Sequence, residues 1–244
     1  MKDLVIASLN VKNRYFLVED SLPHQLAHII RDKDIDVLFT QEMTLDYRLK
    51  MLRSLSEYRA YGFPHYGQTN SFLKDRGNET CSLILKKEHK YVKARTKWLS
   101  ETPDEVGSKV FWSWCPRIAS IVDLESGLKL VNLHLDNLFS FVRARQLEIL
   151  SSLLAEDMDR PMVIAGDFNT MDKKKKYFEA FKERMLENGL QYVDFGDNTY
   201  EHFGAFKLDH MFIPKDWEIT GKSLEEVPVS DHKMLVLRTK TPTV

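Results

Sequence analysis

At 244 residues with 43% hydrophobic side chains, the chain can bury a substantial core, and the lack of a Pro/Gly/Ser linker or an internal repeat favours a single domain over 1–244. A formal net charge of −1 and a pI near 6.7 exclude a global electrostatic pull toward a nucleic-acid backbone, so any polyanion has to be met by a local patch. Cys81 and Cys115 are too few for a disulfide scaffold and lack metal-ligand spacing. With no signal peptide and no apolar run near the roughly 18 residues of a membrane span, the expectation is a cytoplasmic protein with no membrane span and no obligate protein partner.

Leu4 to Leu9 is apolar except for Ser8 and reads as a central strand ending at Asn10. Ser21 and Pro23 open a helix with Leu22, Leu26, Ile29 and Ile30 at helical spacing, and Asp36 to Glu42 returns as a second buried strand. A parallel crossover brings the carboxyl ends of two such strands together, so Asn10 and Glu42 are expected at one edge of a sheet. Glu42 could equally cap the helix expected over Met43 to Leu55. Tyr58 to Tyr66 reads as a strand and a loop, Lys74 to Glu79 as a turn, and Cys81 to Leu85 as a strand.

Lys86, Lys87, Lys90, Lys93, Arg95 and Lys97 follow within a dozen residues. They read as the solvated face of an edge hairpin, with a nucleic-acid patch as the alternative. Trp98 to Ser113 is a long loop, of the kind that is usually functional, and leads through Trp112 and Trp114 to Arg117. Ile118 to Leu124 and Leu128 to Leu133 pair as a hairpin through Ser126-Gly127, and His134-Leu135-Asp136 follows. Phe139 to Ala155 reads as an amphipathic helix with Phe141, Leu147, Leu150 and Leu154 toward the core and Arg143 and Arg145 elsewhere.

Met162 to Thr170 carries the strongest signal: a buried-strand pattern, Val163-Ile164-Ala165, stops at Gly166 and presents Asp167 and Asn169 two residues apart. In an extended segment those two side chains share a face. A carboxylate there can accept a proton from water while a carboxamide donates to an anionic oxygen, as phosphoester hydrolysis requires. An Asx turn capping the next helix would use the same pair. Lys173 to Lys176 open that helix where its dipole disfavours cations, either as a solvated face or as contacts for an anionic substrate. Lys207 to Ile213 is a strand with Asp209 among apolar neighbours, a placement that requires a partner. Val229-Ser230-Asp231-His232 precedes the final strand, Met234 to Leu237.

Ser8-Leu9-Asn10, Gln41-Glu42, Asn132-Leu133-His134-Leu135-Asp136, Gly166-Asp167-Phe168-Asn169, Leu208-Asp209-His210 and Ser230-Asp231-His232 occur in the order and over the extent that resembles the exonuclease/endonuclease/phosphatase superfamily, the deoxyribonuclease-I-like fold. The resemblance implies an α/β four-layer sandwich of two packed mixed sheets flanked by helices, with the active site at one rim. Trp98 to Pro103, reading Trp-Leu-Ser-Glu-Thr-Pro, resembles a bacterial-type branch related to poly(A) deadenylases. Gln68 to Arg76 and Asn137 depart from that branch's usual pattern, in segments that bear on substrate rather than on core chemistry.

The resemblance also implies roles. Mg²⁺ or Mn²⁺ would be held by Glu42 with Asn10 and Asp231. Asp167 would activate water with Asn169 fixing its geometry. His232 oriented by Asp209, and His134 oriented by Glu79, would surround the scissile phosphate, and Arg117 and Asn10 would contact it. The expected function is metal-dependent hydrolysis of a phosphoester, foremost a nucleic-acid phosphodiester in DNA or RNA. A phosphatase or phosphodiesterase of small or lipid-linked phosphates is the alternative, and a decayed binding module is disfavoured because every core position is filled.

Overall fold

The computed structural model describes residues 2–12, 21–67, 78–171, 175–202 and 204–242. Two six-stranded sheets form its centre. The first contains β1 (Lys2–Asn10), β2 (Val37–Thr44), β3 (Tyr58–Tyr61), β4 (Glu79–Lys86), β11 (Glu218–Glu225) and β12 (Met234–Thr241), in the order β11-β12-β1-β2-β4-β3. The second contains β5 (Tyr91–Trp98), β6 (Ile118–Leu124), β7 (Lys129–His134), β8 (Met162–Asp167), β9 (Leu190–Tyr192) and β10 (Asp209–Pro214), in the order β5-β6-β7-β8-β10-β9. Both sheets are mixed: β1 runs parallel to β2 and β7 parallel to β8, whereas the other ladders are antiparallel.

Strand periodicity explains the layering. In β1, Val5, Ala7 and Leu9 face outward and pack under α1 (Ser21–Asp32) and α2 (Leu45–Arg53), while Leu4 and Ile6 face the other sheet. In β8, Met162 and Ile164 face outward under α3 (Ser140–Leu154) and α4 (Lys176–Glu187), while Val163 and Ala165 face inward. Helices therefore cover both outer faces and an apolar layer fills the space between the sheets. Each fully buried Leu, Ile or Phe there contributes roughly 1.5–3 kcal/mol.

The inward parity carries on past the apolar centre. Leu4 and Ile6 lead to Ser8 and Asn10; Val37 and Phe39 lead to Gln41; Leu130 leads to Asn132 and His134; Val163 and Ala165 lead to Asp167; Ile213 and Met211 lead back to Asp209. At one rim the interior thus changes from apolar to polar on both sheets at once. The change is hydrogen-bonded across the gap: Gln41 Nε2 donates to Asn132 Oδ1 at 2.7 Å, and Asn132 Nδ2 donates to the carbonyls of Thr40 at 2.9 Å and Ser82 at 2.8 Å.

Three expectations are corrected. The 86–97 segment is no hairpin, because β4 and β5 belong to different sheets and the chain crosses between them. In α3, Arg143 is buried and Phe141 is exposed. The helical period puts Arg143 on the stripe of Leu147, Leu150 and Leu154, and Phe141 on that of Arg145 and Glu148. Burial of the guanidinium is offset by hydrogen bonds from Nη1 to Asp136 O at 3.0 Å and from Nε to the Tyr177 hydroxyl at 2.8 Å. Asp209 opens β10 rather than lying inside it. Cys81 is buried and Cys115 half-buried, both free. Among the described residues no helix is long and apolar enough to cross a membrane.

Candidate active site

The polar rim collects residues from both sheets. Register places Asn10 beside Gln41 in the parallel β1–β2 pair, His134 beside Asp167 in the parallel β7–β8 pair, and Asp209 opposite Asp167 across β8–β10. Asn10 spans the gap, its Nδ2 donating to Glu42 Oε1 at 2.9 Å and to Asp167 Oδ2 at 3.0 Å. Glu42 sits in a bulge of β2, where the register with β4 shifts, and has φ +59°. Such bulges re-aim side chains at functional rims. Of the five non-glycine residues with positive φ among the described residues, Lys12, Glu42 and Asn169 lie in this site and Trp112 lies in the adjoining loop. That concentration of backbone strain is a mark of function.

Asp167 makes the Asx turn foreseen as the competing reading, since its Oδ1 accepts the Asn169 N–H at 2.8 Å. The turn caps no helix, because α4 begins only at Lys176. Asn169 has φ +51°, so the extended parity assumed for the pair breaks, and its Nδ2 donates to Leu135 O at 3.0 Å. With Asn10 on Oδ2 and Asn169 on Oδ1, both carboxylate oxygens of Asp167 are fixed. Burial, and next the Asp209 carboxylate, push Asp167 up to about 7 against the opposing pull of His232.

His232 Nδ1 lies 2.8 Å from Asp209 Oδ2, the pairing expected. Burial opposes a charge on this imidazole, but Asp209 foremost, with Asp167 and Asp231, pushes it up to about 10, so it is cationic at neutral pH. Ligand atoms of Asp167, Asp209 and His232 all lie within 4.8 Å of one another. A group this close could hold a metal ion, and within it His232 and Asp209 are hydrogen-bonded to each other. Asp209 is steadied by Thr199, whose hydroxyl accepts the N–H groups of Leu208 at 3.0 Å and Asp209 at 3.1 Å.

The His134 ring lies between Arg117 Nη1, 3.0 Å from Nδ1 and 3.1 Å from Nε2, and Asp167 Oδ2, 3.6 Å from Nε2. Burial, and then the Arg117 charge, hold His134 well below the usual imidazole range, so it is neutral. Glu79, the expected orienter of His134, is buried at the start of β4. Burial works against the Arg117 charge, but Cys115, Glu79, Glu42 and Asp136 outweigh it and raise the guanidinium pKa. Arg117 Nη2 donates to Asn137 Oδ1 at 3.2 Å, while its buried Nε has no hydrogen-bond partner.

Lys12 and Tyr200 carried no signal in the sequence, and Ser230 only that of the motif Ser230-Asp231-His232. Lys12 donates from Nζ to Asp231 Oδ2 at 2.6 Å, and its N–H donates to Asn10 Oδ1 at 2.9 Å. The Ser230 hydroxyl donates to Asn10 O, which ties the Asp231–His232 loop to the tip of β1. Tyr200 lies against His232, with ring centroids 5.0 Å apart. The carboxylates of Glu42 and Asp231 and the amide oxygen of Asn10 are all hard oxygen donors, and Asn10 is hydrogen-bonded to Glu42 and Asp167. Such a donor set fits a hard divalent cation.

Three of the six cations of the 86–97 segment, whose reading as a nucleic-acid patch was the alternative, are paired. Lys86 pairs with Asp34 at 2.7 Å and Asp36 at 2.8 Å, Arg95 with Asp123 at 2.6 Å, and Lys97 with Asp104. Lys173 and Lys174 lie outside the described residues. Lys175 Nζ is 3.5 Å from Thr170 Oγ1 and from Lys207 O.

The sandwich thus carries at one rim a set of carboxylates, imidazoles and one buried guanidinium. The chain belongs to the Endonuclease/Exonuclease/phosphatase family, whose model it matches over residues 7–232 and whose members are phosphoester hydrolases. A UPF0294 protein of Vibrio vulnificus (strain YJ016) is 31% identical over 118 residues, which are 48% of this chain and 40% of that protein. The chain thus spans about two fifths of the length of that curated relative. Among solved structures, an endonuclease/exonuclease/phosphatase from Bacteroides vulgatus superposes with a TM-score of 0.83 at 21% identity, over 99% of this chain and 100% of the other. The mannosyl-6-phosphatase Bt3783 of Bacteroides thetaiotaomicron gives 0.78 at 21% identity, over 98% and 100%. TDP2 of D. rerio, complexed with single-strand DNA product, gives 0.74 at 17% identity, over 99% and 100%. These likenesses establish the deoxyribonuclease-I-like fold.

Proposed function

We propose that the protein hydrolyses a phosphoester by attack of a water molecule that Asp167 orients and deprotonates. The observation that carries this reading is the double anchoring of the Asp167 carboxylate, by Asn10 and the Asn169 backbone, beside the cationic His232. Glu42 and Asp231, with Asn10, would hold Mg²⁺ or Mn²⁺, which when bound neutralises charge on a phosphoryl oxygen. Arg117 would contact the phosphate, and neutral His134, hydrogen-bonded to it, supplies a polar edge beside it. With Nδ1 committed to Asp209, His232 has Nε2–H free to donate to the oxygen that leaves as the phosphorus–oxygen bond breaks.

Tracking of a nucleic-acid backbone relies on a row of available cations. In the 86–97 segment Lys86, Arg95 and Lys97 are paired with Asp34 and Asp36, Asp123, and Asp104, which thins such a row and counts toward the alternative class, small or lipid-linked phosphates. The test is turnover of bis-(p-nitrophenyl) phosphate with and without Mg²⁺ or Mn²⁺, followed by oligonucleotides and phosphomonoesters. Glu42→Gln should keep the fold and weaken metal binding in a calorimetric titration. Unchanged metal affinity with lost turnover would make Glu42 a substrate-directed group instead of a ligand.

A further inference from the structure

Each oxygen donor proposed for the divalent cation already has one acceptor position taken by a bond inside the site. Asn10 Nδ2 donates to Glu42 Oε1 at 2.9 Å, the Lys12 N–H donates to Asn10 Oδ1 at 2.9 Å, and Lys12 Nζ donates to Asp231 Oδ2 at 2.6 Å. Among the described residues the other Asp231 oxygen, Oδ1, takes part in no hydrogen bond or ion pair. Lys12 therefore touches two of the three donors, one through its backbone and one through its side chain.

An ion pair near the surface is ordinarily a weak and changeable contact. This one is anchored at both ends. Lys12 has φ +50°, a backbone conformation rare for a residue with a side chain, and its N–H closes an Asx turn on Asn10 just where the chain leaves β1. Asp231 follows Ser230, whose hydroxyl donates to Asn10 O and accepts the His232 N–H at 2.9 Å. Both partners thus project from pinned backbone at the tip of β1, and the Asp231 side chain is only 16% exposed.

The arrangement bears on how many oxygens each residue can offer a cation. Ca²⁺ takes about six to eight oxygens and readily accepts both from one carboxylate, whereas Mg²⁺ keeps a strict octahedron built from few carboxylates and several waters. A carboxylate with an ammonium on one oxygen presents the other alone. Removal of that ammonium has two separable effects. Loss of a positive charge raises affinity for every divalent cation by a similar factor, since Coulomb attraction depends on the charge they share. Release of Oδ2 lets Asp231 chelate, which favours Ca²⁺ over Mg²⁺.

We infer that Lys12 sets the choice of metal: by holding Asp231 Oδ2 it confines Asp231 to one-oxygen ligation and selects Mg²⁺ or Mn²⁺ against Ca²⁺. The inference rests on the assignment of Glu42, Asn10 and Asp231 as the metal ligands. The test is displacement of Mn²⁺ from the full chain by MgCl₂ and by CaCl₂, read from the electron paramagnetic resonance of free Mn²⁺. Wild type, Lys12→Met and Lys12→Arg are compared, each checked for fold by circular dichroism, with Lys12→Gln in place of Lys12→Met if the latter does not fold. In Lys12→Met the affinity for Ca²⁺ relative to Mg²⁺ should rise about tenfold, the size of effect usual for a group that orients a metal ligand. Lys12→Arg, which keeps a cationic donor, should stay near the wild-type ratio.

Equal gains for both cations would mean that Lys12 acts by charge alone, and losses for both that it only holds Asp231 in place; either result overturns the proposal. A wild type that binds none of the three cations, or a Glu42→Gln variant with undiminished Mn²⁺ affinity, overturns the ligand assignment and the proposal with it. An unchanged ratio in a chain whose Mn²⁺ binding does depend on Glu42 overturns the role of Lys12 alone, so the two failures are distinguishable.

Discussion

Gly166 is the position where backbone geometry and the catalytic carboxylate are most tightly joined. Its φ of +153° lies in a region open essentially only to glycine, and a Cβ built there would stand 2.0 Å from Leu133 O and 3.0 Å from Leu133 C and N. Because side-chain Cβ atoms essentially never approach within 3.0 Å, Gly166→Ala forces β7 and β8 apart by about 1 Å at the Leu133–Gly166 pair. The backbone strain costs about 1–3 kcal/mol and the overpacking about 1–3 kcal/mol more. At roughly 2–4 °C per kcal/mol for a chain of this size, Tm should drop by about 10 °C. The next pair in the register is His134–Asp167, whose 3.6 Å contact would open, so turnover should fall further than stability alone explains. Thermal melts, urea unfolding and kcat/KM on bis-(p-nitrophenyl) phosphate at a temperature where the variant is folded are the assays. A variant melting within about 2 °C of the wild type with unaltered turnover would refute the idea that this close approach sets the site.

The His232–Asp209 pair should behave as one device. Asp209→Asn and His232→Ala should each cut kcat/KM heavily, and the double variant should lose little more, whereas fully additive losses at saturating metal would mean the two act separately. A third prediction concerns His210, buried between Thr170, Tyr192 and Phe178 and held neutral well below the usual imidazole range by that burial, with the charges of nearby lysines second. The unfolded chain protonates this histidine near 6.5 while the folded chain does not, so its stabilising effect is complete above that pH and is lost as pH falls below it, at about 1.4 kcal/mol per pH unit. His210→Gln should therefore flatten the decline in unfolding free energy between pH 6.5 and 5.5, measured by urea titration; an identical slope would count against this assignment.

Period-two patterning made much of the scaffold legible. The alternation that puts Leu4, Ile6, Phe39, Val163 and Ala165 inside also points Asn10, Gln41 and Asp167 toward the gap between the sheets, so strand ends in the sequence mark the site rim. Hydropathy does not tell which sheet a strand joins, and for that reason β4 and β5 looked like hairpin partners. The reversal of Phe141 and Arg143 has a different origin: a buried arginine is affordable here only because Asp136 O and the Tyr177 hydroxyl, one of them 34 residues away, receive it. Lys12 and Tyr200, and the bond from Ser230 to Asn10, were illegible for the same reason, since a lysine or serine in a polar loop carries no periodicity and gains meaning only from contacts made across the chain. The direction of the Asn169 side chain escaped because parity assumes extended backbone and its φ is positive.

The position of β1 between β12 and β2 bears on how the protein comes to be formed. One flank of β1 can pair as soon as β2 is made, with Ile6 meeting Val37 only 31 residues on, whereas the other flank waits for β12, where Ile6 meets Leu237. Until that strand emerges from the ribosome, a nearly complete two-sheet protein carries an open edge in the middle of its first sheet, the kind of edge that invites mispairing. Asp231 and His232 arrive with the same late segment. The nascent chain therefore lacks His232 until the segment that closes the sheet has been delivered, and the candidate site is complete only when the long-range pairing that slows folding can be made.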